Sequence, residues 1–210
     1  MDAHEQIRTT QVVPVIALDD AAHAGPLGEA LVAGRLPIAE VTFRTEAAVE
    51  SIATMARNPE LLVGAGTVVN VDQVDQAAEA GARFVVSPGF SASVAARCAD
   101  HGLPLFPGVA TATEIIAALD AGITTVKFFP ASTSGGAPAI KALSAPFPQV
   151  RFVPTGGISP SNLADYLAVD AVTACGGSWM VPSAALRAGD FDQITKLAAE
   201  AVALAASLRN

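Results

Sequence analysis

The sequence predicts an α/β fold, a (β/α)8 TIM barrel forming one domain over residues 1–210, with an extra helix at the N-terminus. Three observations carry this expectation. Short β-branched runs alternate with Ala-rich amphipathic stretches along the whole chain. Eight such runs are present, and strands alternating with helices make a parallel sheet. The first run is not followed by the GxGxxG turn of a doubly wound nucleotide-binding sheet, which is the competing architecture.

The strands are expected at 12–18, 38–43, 62–66, 84–87, 105–107, 124–129, 152–155 and 171–175. Helices are expected at 21–34, 46–58, 71–81, 91–101, 113–122 and 161–169, with an amphipathic Ala/Leu helix at 191–208 closing the ring. Gly34, Gly81, Gly102 and Gly122 read as C-terminal helix stops. The first eleven residues read as a helix or plug outside the repeat. A chain of 210 residues lies at the small end of the barrel range.

Composition narrows the function. Apolar residues make up 51% and charged residues 15%, so the chain is rich in core. A net charge of −8 disfavours nucleic acid, whose phosphates need a basic face. A small anionic substrate needs only local positive charge and stays open. No apolar run is long enough to span a bilayer, and no apolar signal core precedes Gln11. Cys98 and Cys175 imply no disulfide framework and read as buried structural thiols. A cytoplasmic location is the expectation. His4, His23 and His101 have no metal-ligand spacing, so no metal is expected.

In a barrel, chemistry sits on the loops at the C-terminal ends of the strands. Polar residues at those ends are therefore the candidates. The chain has three lysines, and only Lys127 lies inside an apolar β-run, Thr124-Thr125-Val126-Lys127-Phe128-Phe129. Burial disfavours the charged ammonium and so favours the free amine that Schiff-base chemistry requires. A lysine that snorkels from a strand edge is the competing explanation. Alternation places Thr125, Lys127 and Phe129 on one face. A second strand carries Glu40, Thr42 and Arg44 on one face. Glu40 is a candidate proton shuttle, with Arg44 as its partner or as a fork for a substrate carboxylate.

Two glycine pairs close the last two strands: Thr155-Gly156-Gly157-Ile158-Ser159 and Cys175-Gly176-Gly177-Ser178-Trp179. The loops after strands seven and eight of a barrel are a frequent phosphate site. Glycines let backbone N–H groups approach an anion, and Thr155 and Ser178 add hydroxyls. Thr67 offers a further hydroxyl after strand three. Ser87-Pro88-Gly89-Phe90 and Phe106-Pro107-Gly108 supply turns for a pocket wall.

Together and in order, these segments resemble the KDPG/KHG aldolase family, the 2-keto-3-deoxy-6-phosphogluconate aldolases of the Entner–Doudoroff pathway. The carrying segments are Val13-Pro14-Val15-Ile16, Glu40-Val41-Thr42-Phe43-Arg44-Thr45-Glu46, Gly64-Ala65-Gly66-Thr67-Val68, Ser87-Pro88-Gly89, Val126-Lys127-Phe128-Phe129-Pro130-Ala131, Thr155-Gly156-Gly157-Ile158-Ser159 and Gly176-Gly177-Ser178-Trp179. Phe43 departs from a common leucine. The resemblance implies a class I aldolase working as a homotrimer, with no metal and no cofactor. It assigns the Schiff base to Lys127 and the proton shuttle to Glu40. It puts the pyruvyl end on Arg44 and Thr67, with Pro88 and Phe129 near the reacting carbons. The phosphate falls on the two glycine pairs and Ser178. The expected substrate is a phosphorylated 2-keto-3-deoxy sugar acid cleaved to pyruvate, with 4-hydroxy-2-oxoglutarate as a second substrate. The alternatives are the phosphogalactonate epimer and a phosphate-binding barrel isomerase or epimerase.

Overall fold

The computed structural model describes residues 2–208. Its strands are β1 (Val12–Ile16), β2 (Ile38–Thr42), β3 (Leu62–Gly66), β4 (Val85–Ser87), β5 (Leu105–Val109), β6 (Thr125–Phe128), β7 (Arg151–Pro154) and β8 (Cys175–Gly177). They pair in the order β7-β6-β5-β4-β3-β2-β1-β8, all parallel. Two single bridges, Phe152 to Val172 and Thr155 to Gly176, join β7 to the β8 region. The result is the expected (β/α)8 barrel, closed by a thin seam.

The helices are α1 (Ala3–Thr10), α2 (Ala24–Ala33), α3 (Ala48–Met55), α4 (Val71–Glu79), α5 (Ala92–Asp100), α6 (Ala112–Asp120), α7 (Gly136–Ser144), α8 (Leu163–Leu167), α9 (Ser183–Ala188) and α10 (Phe191–Ser207). The alternating strand residues sort as the period of two requires. Val126 and Phe128 of β6, and Ala39 and Val41 of β2, are fully buried on the face opposite to Lys127 and Glu40. No helix among the described residues is long and apolar enough to cross a membrane.

Helix α1 covers the N-terminal end of the barrel. The His4 ring lies 4.8 Å from Phe106, and Gln6 Nε2 donates to the Pro37 carbonyl. Ile7 and the Phe84–Phe106 edge-to-face pair then fill the lower interior. The plug expected before the first strand is thus a helix.

Three features differ from expectation. Strand eight lies at Cys175–Gly177 rather than at 171–175. The run Val172-Thr173 has strand-like side chains, but only Val172 makes a bridge there. Pairing with β1 instead puts Cys175, Gly176 and Gly177 opposite Val12, Val13 and Pro14. Helices α7 and α9 were not anticipated, because each begins beside Gly or Pro residues that read as loop. Gly34 is not a left-handed stop: its φ is −75°, and Arg35 takes the positive φ. A Cβ on Gly34 would stand 2.6 Å from the Ala198 Cβ and 2.8 Å from the Thr195 carbonyl. That glycine serves the close approach of α2 and α10, where Thr195 Oγ1 also donates to the Ala30 carbonyl. Gly81, Gly102 and Gly122 do take positive φ, as expected of stops.

Helix α6 starts with a capping box beside the C-terminal end of β5. Glu114 N donates to Thr111 Oγ1, while Glu114 Oε2 accepts from the N–H groups of Ala110 (2.7 Å) and Thr111 (2.9 Å). The Ala110 N–H first, then the Thr111 hydroxyl and N–H, hold the Glu114 carboxyl below its usual range against the opposing pull of burial. The folded pKa is depressed, so this stabilisation is complete above the unfolded value of 4.5 and is lost as pH falls through the folded one. Glu114→Ala is expected to cost about 1 kcal/mol at neutral pH. Its melting temperature should converge on that of the wild type in acid. An equal penalty at pH values near neutral and well below the carboxylate range would contradict this.

Candidate active site

Among the described residues, the buried polar or charged side chains are Thr10, Glu40, Thr42, Ser51, Ser87, Lys127 and Thr155. Five of them belong to the strands or to a residue just beyond one. Glu40 is the third residue of β2 and Lys127 the third of β6. In the ring these strands are four places apart, on opposite sides. Their side chains nevertheless meet: Lys127 Nζ donates to Glu40 Oε1 at 3.2 Å, with side-chain exposures of 8% and 4%. The pair therefore spans the barrel interior. Each ion alone would pay a desolvation penalty of several kcal/mol, which pairing offsets. The partner of Glu40 is thus Lys127 and not Arg44, as strand spacing allowed.

The walls around the pair are specific. The Phe129 ring centroid lies 5.2 Å from Lys127 Nζ, within cation–π range. Beneath the pair lies a void of about 10 Å³ lined by Ile7, Val13, Phe84 and Phe106 together with Thr155. Gly108 stands opposite Lys127 in register, and a Cβ there would fall 2.0 Å from the Pro88 carbonyl. Gly108 thereby admits the Ser87-Pro88-Gly89 turn, which Ser87 Oγ braces by donating to the Gly89 carbonyl at 2.8 Å. Thr67, just past β3, has a φ of 59°. For a β-branched residue that is a strained backbone of about 1–3 kcal/mol, a kind of strain that clusters at functional sites.

Gly66 makes room for the carboxylate. A Cβ on Gly66 would lie 2.4 Å from Glu40 Oε1 and 2.7 Å from its Cγ. Gly66→Ala is expected to push Glu40 off its present line and lower kcat about a hundredfold, the size of a misplacement of about 1 Å. Steady-state kinetics on the folded variant checks this; a kcat within twofold of wild type would refute it.

Arg44 lies two residues beyond β2 and is exposed. Its Nε donates to Thr42 Oγ1 at 3.0 Å. At the seam, Thr155 is 6% exposed and stands opposite Gly176. A Cβ on Gly176 would meet Thr155 Oγ1 at 2.3 Å, and one on Gly177 would meet the Trp179 ring at 1.9 Å. The second glycine pair therefore sits inside β8, making room for neighbours, with Ser178 exposed at its end. Gly156 and Gly157 do form a turn, both with positive φ. Main-chain bonds from Ala131 to Thr155 and from Ser132 to Gly156 hold that turn. Ser132 Oγ and Asn162 Nδ2 both donate to the Gly157 carbonyl.

Sequence reasoning put Lys127 and Phe129 on one face and singled out Glu40, but it offered Arg44 and not Lys127 as the partner of Glu40. It gave no supporting role to Thr42, Ser132, Asn162 or Trp179. Only Thr42 carried a signal, as a polar residue between Glu40 and Arg44 on their shared face. The histidines are engaged elsewhere: His23 with the Phe191 ring and His101 with Asp75. No cluster of three or more His, Cys, Asp or Glu that could hold a metal occurs among the described residues. Cys98 and Cys175 are buried, and burial pushes their thiols up to about 11 and about 12, so both stay protonated and unreactive near neutral pH.

Known proteins resemble the chain over nearly its whole length. A family model described as "KDPG and KHG aldolase" matches residues 3–197. The KHG/KDPG aldolase of Escherichia coli (strain K12) is 50% identical over 200 residues, covering 94% of both chains. The 2-dehydro-3-deoxy-phosphogluconate aldolase of Treponema pallidum is 52% identical over 194 residues, covering 92% of both. The crystal structure of the Legionella pneumophila KDPG aldolase, with pyruvate captured as a covalent carbinolamine, superposes with a TM-score of 0.92 at 39% identity, covering 96% of this chain and 98% of that one. With the match running nearly end to end, the chain belongs to the KDPG and KHG aldolase family.

Proposed function

We propose that the protein is a class I aldolase that cleaves 2-dehydro-3-deoxy-6-phosphogluconate to pyruvate and D-glyceraldehyde 3-phosphate, with Lys127 as the Schiff-base nucleophile. The carrying observation is the buried Lys127–Glu40 pair across the barrel interior. An amine and a carboxylate 3.2 Å apart can exchange the proton that frees the amine. Neutral Lys127 attacks the C2 carbonyl, Glu40 returns the lysine's proton to the carbinolamine hydroxyl, and loss of water leaves a protonated Schiff base with Glu40 again a carboxylate. Glu40 then takes the proton of the C4 hydroxyl. The C3–C4 bond breaks, its electrons flow into the iminium, and the aldehyde departs. Glu40 returns that proton to C3 of the enamine, and hydrolysis of the resulting iminium releases pyruvate and the lysine. Covalent catalysis divides one difficult step into easier ones.

Arg44 and Thr67 hold the substrate carboxylate in this reading, and Pro88 and Phe129 flank the reacting carbons. The phosphate lies between the Thr155-Gly156-Gly157 turn and Gly176-Gly177-Ser178. Backbone donors there let a chain of net charge −8 take an anion. Neither a metal nor a cofactor enters, and the working form is a homotrimer in the cytoplasm. The relatives' names support the gluconate substrate, and their KHG designation supports 4-hydroxy-2-oxoglutarate as a second one.

A coupled assay of pyruvate release tests this. It compares the phosphogluconate substrate, its C4 epimer and 4-hydroxy-2-oxoglutarate. Faster cleavage of the gluconate form supports the proposal. Preference for the epimer moves the assignment to the phosphogalactonate branch. No pyruvate from any of the three removes the aldolase reading.

A further inference from the structure

The geometry points to Thr42 as a positioning residue that selects how Arg44 grips the carboxylate of a 2-keto acid. This rests on the assignment of Arg44 to that carboxylate.

Thr42 is the last residue of β2, and at 1% exposure its hydroxyl must find partners within the protein. Its single proton is committed, because Oγ1 donates to the Ile16 carbonyl at 2.7 Å. With the proton spent on β1, the oxygen has only lone pairs to offer on its other side. Arg44 Nε donates to them at 3.0 Å. The direction of the chain of bonds is therefore fixed, from Arg44 to Thr42 to Ile16. Branching at Cβ restricts χ1 and keeps the hydroxyl on that line.

The consequence lies in which edge of the guanidinium remains free. A carboxylate can dock side-on, across Nε and one Nη, or end-on, across Nη1 and Nη2. Thr42 occupies Nε, so the end-on fork is what remains for a substrate. The next residue but two reinforces this: Thr45 Oγ1 donates to the Leu18 carbonyl. Arg44 is thus bracketed by two threonines, each tied to a carbonyl at or beyond the C-terminal end of β1. Its fork is preorganised although its side chain is exposed.

A purely structural tie between β1 and β2 would predict lower stability without a carboxylate-specific effect. A double-mutant cycle separates the two. Thr42→Val, Thr42→Ser, Arg44→Met and the Thr42→Val/Arg44→Met pair are assayed for aldol cleavage, and pyruvate affinity is measured in parallel by calorimetry. Thr42→Val is expected to raise KM and the pyruvate Kd roughly tenfold, the loss of one charged hydrogen bond, with kcat within about threefold. Thr42→Ser, which keeps the hydroxyl, should stay within about threefold of wild type in KM. In the Arg44→Met background Thr42→Val should add less than twofold. A KM for Thr42→Val within twofold of wild type overturns the inference, as does the same tenfold penalty with and without Arg44. An Arg44→Met variant that binds pyruvate normally overturns it too, by removing the assignment beneath it. A wild type that binds pyruvate but shows no aldol turnover sinks the aldolase reading instead, and the calorimetric cycle still decides on Thr42. Thr42→Cys replaces the valine variant where melting curves show that valine does not fold.

Discussion

Lys127→Ala is expected to abolish aldol turnover, a fall of about six decades in kcat, the scale seen when a covalent nucleophile is removed. No other lysine can take its place, because Lys141 and Lys196 are exposed on helices α7 and α10. The chemical readout is reduction with borohydride in the presence of pyruvate. The wild type should gain the mass of a reduced pyruvate adduct on the peptide containing Lys127, and the alanine variant should gain none. An unchanged wild-type mass under these conditions would defeat the Schiff-base assignment and favour a barrel isomerase or epimerase that uses Glu40 without an adduct. The substitution also strands Glu40 in the interior, and an unpaired buried charge costs about 3–5 kcal/mol. Lys127→Met, which restores some of the lost packing, should be equally inactive. Inactivity shared by both variants, with both folded, ties the effect to the amine.

The second large effect is expected at Glu40. Glu40→Gln keeps the length and an oxygen acceptor for Lys127 Nζ but cannot carry a proton. It should lower kcat by about two to four decades, the usual range for a general acid or base. Because the lysine remains, borohydride should still trap pyruvate on Lys127 in this variant. That separates a defect in carbon–carbon cleavage from one in adduct formation. A Glu40→Gln enzyme within fivefold of wild type would remove Glu40 from the mechanism and leave it as a structural counter-ion.

Much of the barrel was legible because its periods are simple. Runs such as Ile38 to Thr42 and Leu62 to Gly66 have fully buried strands, and their β-branched or small residues mark them. Strand eight was displaced for a physical reason. Its residues include Gly176 and Gly177, whose missing side chains look like a loop but are needed for Thr155 and Trp179 to fit. The site was legible to the extent that it consists of residues chemically out of place, a lysine and a glutamate within apolar strands. That the two would touch was not legible. It depends on β2 and β6 standing opposite each other, a property of ring closure and not of any local segment. The same holds for Gly66, whose lack of a Cβ has meaning only beside a carboxylate from the neighbouring strand. Gly34 misled because a stop signal and a close-contact residue are spelled with the same glycine.

The seam between β7 and β8 has a mechanical consequence. The β2–β3 junction is a continuous ladder of five registered pairs, while this one has two single bridges. Local opening is governed by how many such bonds must break, so amide exchange with solvent should be faster at Thr173 and along β8 than in the β2–β3 ladder. The proposed phosphate site straddles this gap. An anion held by both glycine pairs would act as a cross-link where the backbone supplies few, and some of its binding energy would appear as slower exchange and a higher melting temperature. The substrate would in that sense finish closing the barrel that cleaves it.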